Sequence, residues 1–506
     1  MSLKPVSEID AKIAKGAVWM IAFKFLDRGI GLISTLILAR MLVPEDFGLV
    51  AMSMILIAAM QLLVSFGFDV QLIQNPNAGH DHFNTAWTFN VIFATVCGIC
   101  LAALAVPAVH YYDEPRLEAI LYVLALGFAI QGFSNIGTVK FQREMRFDKE
   151  FRFLLSKRLA TLVVTIPLAF IMRNYWALVL GQLAGTILSV IQSYVVSTYR
   201  PRLSLAARQE MFSASKWLVV NNIIQFVNNR AAQFIIAHHT DPASLGVHSI
   251  STEIATMPTT ELVAPINRAA FPGYSKAAHD LELLRDSFLK VISSIALFSI
   301  PAGVGIFAVA DLLVPVALGW KWLAAIPLIQ ILAVHGVIKA VQTNITYVYL
   351  ALNRPRLITI VWAVQAALLV ALLIPAVAHF GVIGASWTYL VTGIVMIPVN
   401  QSMVARCLNL GWTTFCRQLV RPFLAALAMA GAVLAVKSQL TLHHGVTFEY
   451  VLALLLCVGV GALVYSATLY VLWRLAKSPH GLERYGFGRV ENVLGKAGIR
   501  IKLVGP

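Results

Sequence analysis

The chain has 506 residues, 59% of them hydrophobic and only 12% charged, with a formal net charge of +15. A soluble domain is nearer half apolar and a quarter charged, so the composition excludes an ordinary soluble protein and reads as an all-α polytopic membrane protein. Five cysteines are present, and Cys97 and Cys100 form a C-x-x-C. That pair falls inside an apolar stretch and reads as packing, so neither a metal site nor a cofactor is expected.

Apolar stretches able to cross a hydrocarbon core about 30 Å thick recur along the whole chain. The first, 16–39, is longer than a signal-peptide core and carries Lys24, Asp27 and Arg28, so it reads as a retained span. Five more follow at 47–68, 84–109, 117–139, 152–172 and 175–198. A second set lies at 214–237, 245–270, 288–310, 323–350, 357–379 and 382–404, with two last spans at 418–436 and 448–473. The expected organisation is an N-terminal six-helix lobe over 1–200 and a C-terminal six-helix lobe over 201–410. Two additional helices over 411–474 and a basic cytoplasmic tail over 475–506 complete it.

The two sets echo one another. Trp19, Pro44 and Gly48 recur as Trp217, Pro242 and Gly246, each 198 positions later. Val106-Pro107, Arg146, Ile166-Pro167 and Gly185 recur as Val314-Pro315, Arg354, Ile374-Pro375 and Gly393, each 208 positions later. Six spans per copy bring both copies into the membrane in the same orientation, as parallel repeats. Duplicated membrane halves suggest alternating access, with a site shared by the copies. Cationic residues agree with this count: with a cytoplasmic N-terminus, 29 of the 39 Lys and Arg fall in inside segments and 5 in outside segments. Only the inside loop 71–83 carries none. The positive charge therefore reports orientation and contact with the phospholipid bilayer, and no nucleic-acid partner is expected.

The remaining cations, Lys24, Arg28, Arg230, Arg268 and Lys339, lie inside spans. An Arg or Lys at the bilayer centre costs roughly 2.5–3.5 kcal/mol on insertion scales, so such side chains face protein or a watery cavity. Lys24, Asp27, Arg28 and Gly31 share one helical face, and so do Asn221, Gln225, Asn228 and Asn229 on the seventh span. His335, Lys339, Gln342, Thr343 and Thr346 form a stripe on the tenth span. The eighth carries Thr252, Thr256, Thr259 and Thr260, with Pro258 and Pro265 as expected kink sites. Such stripes line a cavity or join helices. Asp27, Glu253 and Glu261 are candidates for ion coupling or for balancing the cations. A cationic, amide-rich lining suits a phosphate-bearing amphiphile, because guanidinium groups grip phosphate in a fork and an ammonium adds a point charge.

Local motifs carry a resemblance. The segment Ala39-Arg40-Met41-Leu42-Val43-Pro44-Glu45-Asp46-Phe47-Gly48 resembles a signature of bacterial polysaccharide-synthesis flippases. Phe271-Pro272-Gly273-Tyr274-Ser275 resembles a second such segment, and Leu318-Gly319-Trp320-Lys321-Trp322 with Ala324 to Leu328 a third. Over about 12–410 the chain is similar to Wzx-type flippases of the polysaccharide transporter family, within the multidrug/oligosaccharidyl-lipid/polysaccharide exporter superfamily. The resemblance implies no enzyme. It implies a flippase that moves undecaprenyl-pyrophosphate-linked oligosaccharide repeat units across the bacterial inner membrane by alternating access, for exopolysaccharide or lipopolysaccharide synthesis. Both termini are expected in the cytoplasm. A monomer suffices, with a polysaccharide polymerase and chain-length machinery as further partners. Lys24, Arg28, Arg230 and Lys339 would hold the pyrophosphate, and Asn221, Gln225, Asn228 and Asn229 would meet sugar hydroxyls. Two alternatives stay open at this point: a multidrug or cation antiporter of the same superfamily, and a membrane polymerase or ligase. The second needs a large outside loop, which the sequence lacks.

Overall fold

In hydrocarbon every backbone polar group needs a partner within the protein, and a chain this apolar meets that demand with helices. The computed structural model describes residues 6–64, 68–75, 77–212, 216–443, 445 and 447–476. Among these residues there is no strand. The first helices are α1 (Val6–Met41), α2 (Pro44–Val64), α3 (Phe68–Gln74), α4 (His80–Ala103), α5 (Ala105–Tyr112) and α6 (Arg116–Gly132). Next come α7 (Val139–Arg143), α8 (Phe147–Met172), α9 (Trp176–Val196), α10 (Arg208–Phe212), α11 (Lys216–His239) and α12 (Pro242–Ala277). The last are α13 (Leu281–Ala317), α14 (Ala325–Ala351), α15 (Pro355–Leu408), α16 (Trp412–Ser438) and α17 (Thr447–Leu475). The chain is a multi-pass, all-α membrane protein. Apart from Leu475 and Ala476, the basic tail lies outside the described residues.

Nine of the described helices are long and apolar enough to cross a membrane by composition alone. One of them, α15, has 54 residues and would be about 81 Å long if straight. It is two spans, broken at Gly381, whose φ of 56° and ψ of −140° no helix contains. The expected fourth span is a bent pair: α6 meets the short segment Ile136–Arg143 at 58°. The expected third span is divided at Leu104 between α4 and α5. The other expected spans that miss the composition test lie in α1, α11 and α12, which carry the charged and amide residues singled out above. Helix α12 runs unbroken through Pro258 and Pro265.

By contacts the chain divides into two compact units, Met1–Ser249 and Ile250–Pro506. In the first, α8 packs on α1 and α9, α6 on α4 and α9, and α11 on α2. In the second, α13 is the centre, packed by α14, α16 and α17, while α14 also packs on α15. Its core holds Tyr274, Phe288, Ile292, Val348 and Tyr349. Lys437 Nζ of α16 meets Asp311 Oδ1 of α13 at 2.9 Å. The unit boundary falls within α12, because α11 takes α2 and α5 as its neighbours.

The sequence echo is also an echo of backbone. Met145 and Asn353, 208 positions apart, both take a left-handed φ, 55° and 53°. Each precedes an arginine whose amide reaches back five residues: Arg146 N–H to Phe141 O at 2.7 Å, and Arg354 N–H to Tyr349 O at 2.8 Å. Arg173, with φ 50°, likewise precedes its mate Gly381, with φ 56°, by 208 positions. The same turns thus close the same loops in both copies.

The segment 39–48 shows why its residues stand together. Ala39 and Leu42 are fully buried at the end of α1. Pro44 opens α2, where its missing N–H removes nothing, and Glu45 and Asp46 sit in the first turn, where the helix dipole favours negative charge. Asp46 accepts from its own turn at Val43 N–H (3.0 Å) and from Tyr175 N–H ahead of α9 (2.8 Å). Glu45 accepts from Arg116 at 2.6 Å, and Glu114 takes the same guanidinium through two bonds of 2.8 Å. Those bonds hold the Glu114 carboxyl below its ordinary range, against the opposing effect of burial. At Gly48 a Cβ would stand 1.6 Å from Pro242 O, and at Gly246 a Cβ would stand 1.9 Å from Pro44 O. The repeat mates therefore cross reciprocally, each proline carbonyl lying on the other copy's glycine.

Candidate membrane-embedded cationic site

In the unit Met1–Ser249 the charges of α1 meet α8. Asp27 Oδ1 lies 3.3 Å from Arg158 Nε. In the sequence Arg158 lies in the expected span 152–172 and also in the overlapping inside segment 140–158 with which it was counted; in the structure it stands 11 residues after the start of α8 at Phe147. Lys24 is half-buried on α1 and Arg28 is exposed, one turn further along the same face. Arg230 of α11 donates to Gln233 Oε1 at 2.7 Å, within its own helix. Of the α11 amides, Gln225 and Asn229 are exposed, while Asn228 donates to Ile224 O at 3.1 Å. The Asn221 side chain lies outside the described residues.

In the unit Ile250–Pro506 the tenth-span stripe divides. Lys339 of α14 is exposed. Gln342 instead bonds inward: its amide donates to Gly393 O at 3.0 Å, and its oxygen accepts from Asn400 at 3.0 Å. Thr343 Oγ1 accepts from Asn267 at 3.2 Å. The His335 ring packs beside Tyr389, with centroids 5.4 Å apart. These groups join α12, α14 and α15, which is the helix-joining use of a polar stripe. The threonines of α12 return their hydroxyls to their own helix, Thr256 to Thr252 O at 2.7 Å and Thr260 to Thr256 O at 3.0 Å. Glu253 is exposed and Glu261 half-buried on α12, and Arg268 is exposed nearer its C-terminal end.

The two other signature segments are structural anchors. Tyr274 is fully buried and its hydroxyl donates to Asn344 Oδ1 at 3.1 Å. Trp322 is fully buried after Gly319, whose φ of 97° a side chain would resist. The cation-free loop 71–83 is served by its neighbours: Arg143 donates to Ala78 O at 2.9 Å, and Glu210 meets His82 at 3.0 Å and Asn75 at 3.1 Å. Nearby, Lys140 Nζ stands over the Tyr199 ring at 4.7 Å. Burial raises the Tyr199 phenol above its ordinary range.

Each unit by itself places cations on membrane helices, Lys24, Arg28, Arg158 and Arg230 in the first and Arg268 and Lys339 in the second, with exposed amides on α11. Chemically it can bind an anion and hydrogen-bond a polar group at membrane depth. A family described as polysaccharide biosynthesis protein matches residues 37–327. The chain is 26% identical to the lipopolysaccharide biosynthesis protein WzxC of Escherichia coli (strain K12), covering 68% of this chain and 70% of that one. It is 23% identical to the teichuronic acid biosynthesis protein TuaB of Bacillus subtilis (strain 168), covering 83% and 87%. Among solved structures it resembles the lipid II flippase MurJ in its inward closed conformation. There the TM-score is 0.74 at 13% identity, covering 90% of this chain and 99% of that chain, and the likeness is one of fold.

Proposed function

Because the chain belongs to the polysaccharide biosynthesis protein family, we propose that it is a flippase for undecaprenyl-pyrophosphate-linked oligosaccharide repeat units. It works by alternating access in the bacterial inner membrane, with both termini in the cytoplasm. Its product feeds exopolysaccharide or lipopolysaccharide synthesis, where a polymerase and chain-length machinery take over. One chain holds both repeats, so it acts as a monomer.

The observation that carries this reading is the set of cations on membrane helices, Lys24 and Arg28 on α1, Arg230 on α11 and Lys339 on α14. A pyrophosphate cannot enter hydrocarbon unaided, because an unpaired buried charge costs far more than a protein's whole stability margin. In this reading these four cations meet the pyrophosphate during transport. Asn221, Gln225, Asn228 and Asn229 meet sugar hydroxyls, and Asp27, Glu253 and Glu261 balance the cations or couple an ion. The printed names of the relatives, two polysaccharide biosynthesis proteins, and a fold shared with a lipid II flippase support it.

The test is a deletion strain in which lipid-linked repeat units and surface polymer are quantified together. Accumulated lipid-linked repeat with lost polymer, restored by the wild type but not by the R28Q/R230Q/K339Q triple variant, is the expected result. Unchanged polymer and lipid intermediates in the deletion strain, with no second flippase present, would overturn it.

A further inference from the structure

The cation nearest an acid in the α1–α8 contact is absent from the set above. Arg158 lies 14 residues before the outer end of α8 at Met172, and Asp27 lies 14 residues before the outer end of α1 at Met41. Both therefore sit about 21 Å from the outer helix ends. Measured from those helix ends, a core about 30 Å thick has its midplane at about 15 Å, so both groups fall beyond it, near the middle of their helices. The guanidinium is laid against α1 itself: Nε is 3.3 Å from Asp27 Oδ1, and a Cβ on Gly31 would stand 2.6 Å from its terminal nitrogen. Gly31 leaves the room and Asp27 sets the direction.

Arg158 is not consumed by this pair. Its side chain keeps 39% exposure, and that of Asp27 keeps 36%. A guanidinium so exposed at this depth is unstable against lipid, so its open face is turned to water or to a ligand. The contact with Asp27 is an ion pair at Nε, and a guanidinium's N–H groups can donate to a phosphate in a bidentate fork.

The second copy shows that the fold does not require the pair. The residues 198 positions after Asp27 and Gly31 are Gln225 and Asn229, and the residue 208 positions after Arg158 is Ala366. The duplicated helices carry no charge at these places. A charged pair present in only one of two similar copies is not demanded by the fold they share.

We infer that Arg158 is a binding residue for the diphosphate of the cargo, with Asp27 and Gly31 as its positioning residues. This rests on the flippase reading and adds to it the residue that meets the diphosphate near the middle of α1 and α8.

The test uses the full chain in lipid nanodiscs, with undecaprenyl pyrophosphate as the probe. The wild type binds it in the expected case. A D27Q/G31N/R158A variant, which writes the second copy's residues into the first, reaches wild-type membrane levels and binds about tenfold more weakly, the loss expected for one charged fork. If it binds as tightly as the wild type, the pair only joins helices and the inference is wrong. G31A keeps every charge and displaces only the end of a flexible side chain, so it reports even if the triple variant does not accumulate. It is expected to bind about threefold more weakly, and unchanged binding would overturn the inference. A wild type that does not bind the probe would sink the cargo reading and this inference with it. A wild type that binds while the variants bind equally well would sink this inference alone.

Discussion

The two copies agree in their turns and disagree in their chemistry. Met145 and Asn353 share a left-handed turn, and Arg146 and Arg354 close it with the same backbone bond. Between the turns, Asp27, Gly31 and Arg158 stand where the second copy has Gln225, Asn229 and Ala366. Ahead of α6, Glu114 with Arg116 and Glu45 forms an ion cluster, whereas the mate of Glu114, 208 positions on, is the fully buried Trp322. The lesson is that backbone punctuation fixes where spans begin and end, and that either an ion pair or an apolar side chain can then fill a given position. Charges kept in one copy alone are free to serve transport.

The comparison can be broken most sharply at the buried mate of the ion cluster. Trp322→Ala empties a fully buried site and is expected to cost about 3–5 kcal/mol, read as loss of detergent-resistant folded protein on heating. Gly48→Ala and Gly246→Ala each force a Cβ onto a carbonyl of the other copy, and each is expected to cost about 1–3 kcal/mol. The two losses should match within error in parallel melting curves, and a one-sided loss would mean that the crossing is not reciprocal.

Smaller effects sharpen the turns. Met145 holds a left-handed φ that a long side chain resists, while Asn353 tolerates it. Met145→Gly should therefore stabilise by about 1 kcal/mol, and Asn353→Gly by much less, as read from melting temperatures of the two variants. The smallest effect is the pH dependence of the ion cluster. The Glu114 carboxyl titrates lower in the folded protein than in the unfolded chain, so its contribution is complete above the unfolded value of about 4.3 and fades as pH falls through the folded one. Glu114→Gln should remove that acid sensitivity and cost about 1 kcal/mol or less at neutral pH, since Arg116 is well exposed. A melting series from neutral to acid pH would show whether the slope persists.

The spans were legible because crossing a membrane leaves a length and an apolarity that composition records. The fracture of α15 at Gly381 was legible as two spans, and the repeat was legible through the prolines and glycines that the shared turns and crossings demand. The candidate site was legible only in part. Arg158 falls both in the inside segment 140–158 and in the expected span 152–172 and was counted with the first, and a count of cations by segment cannot see the acid on another helix that lies beside it. A helical wheel also could not tell Lys339, which is exposed, from Gln342 and Thr343, which bond inward to α15 and α12. Which way a stripe faces is decided by tertiary neighbours, and one helix does not contain that information.

The crossing of Pro44 on Gly246 and of Pro242 on Gly48 is one contact made twice. A contact that reads the same from either partner is what a twofold axis produces between identical chains. Two half-length chains each bearing one proline and one glycine at these places would meet in this way. In a single chain every such position is free to vary separately on its two sides, as the pair at 158 and 366 does. At 44, 48, 242 and 246 the proline and the glycine stand in both halves.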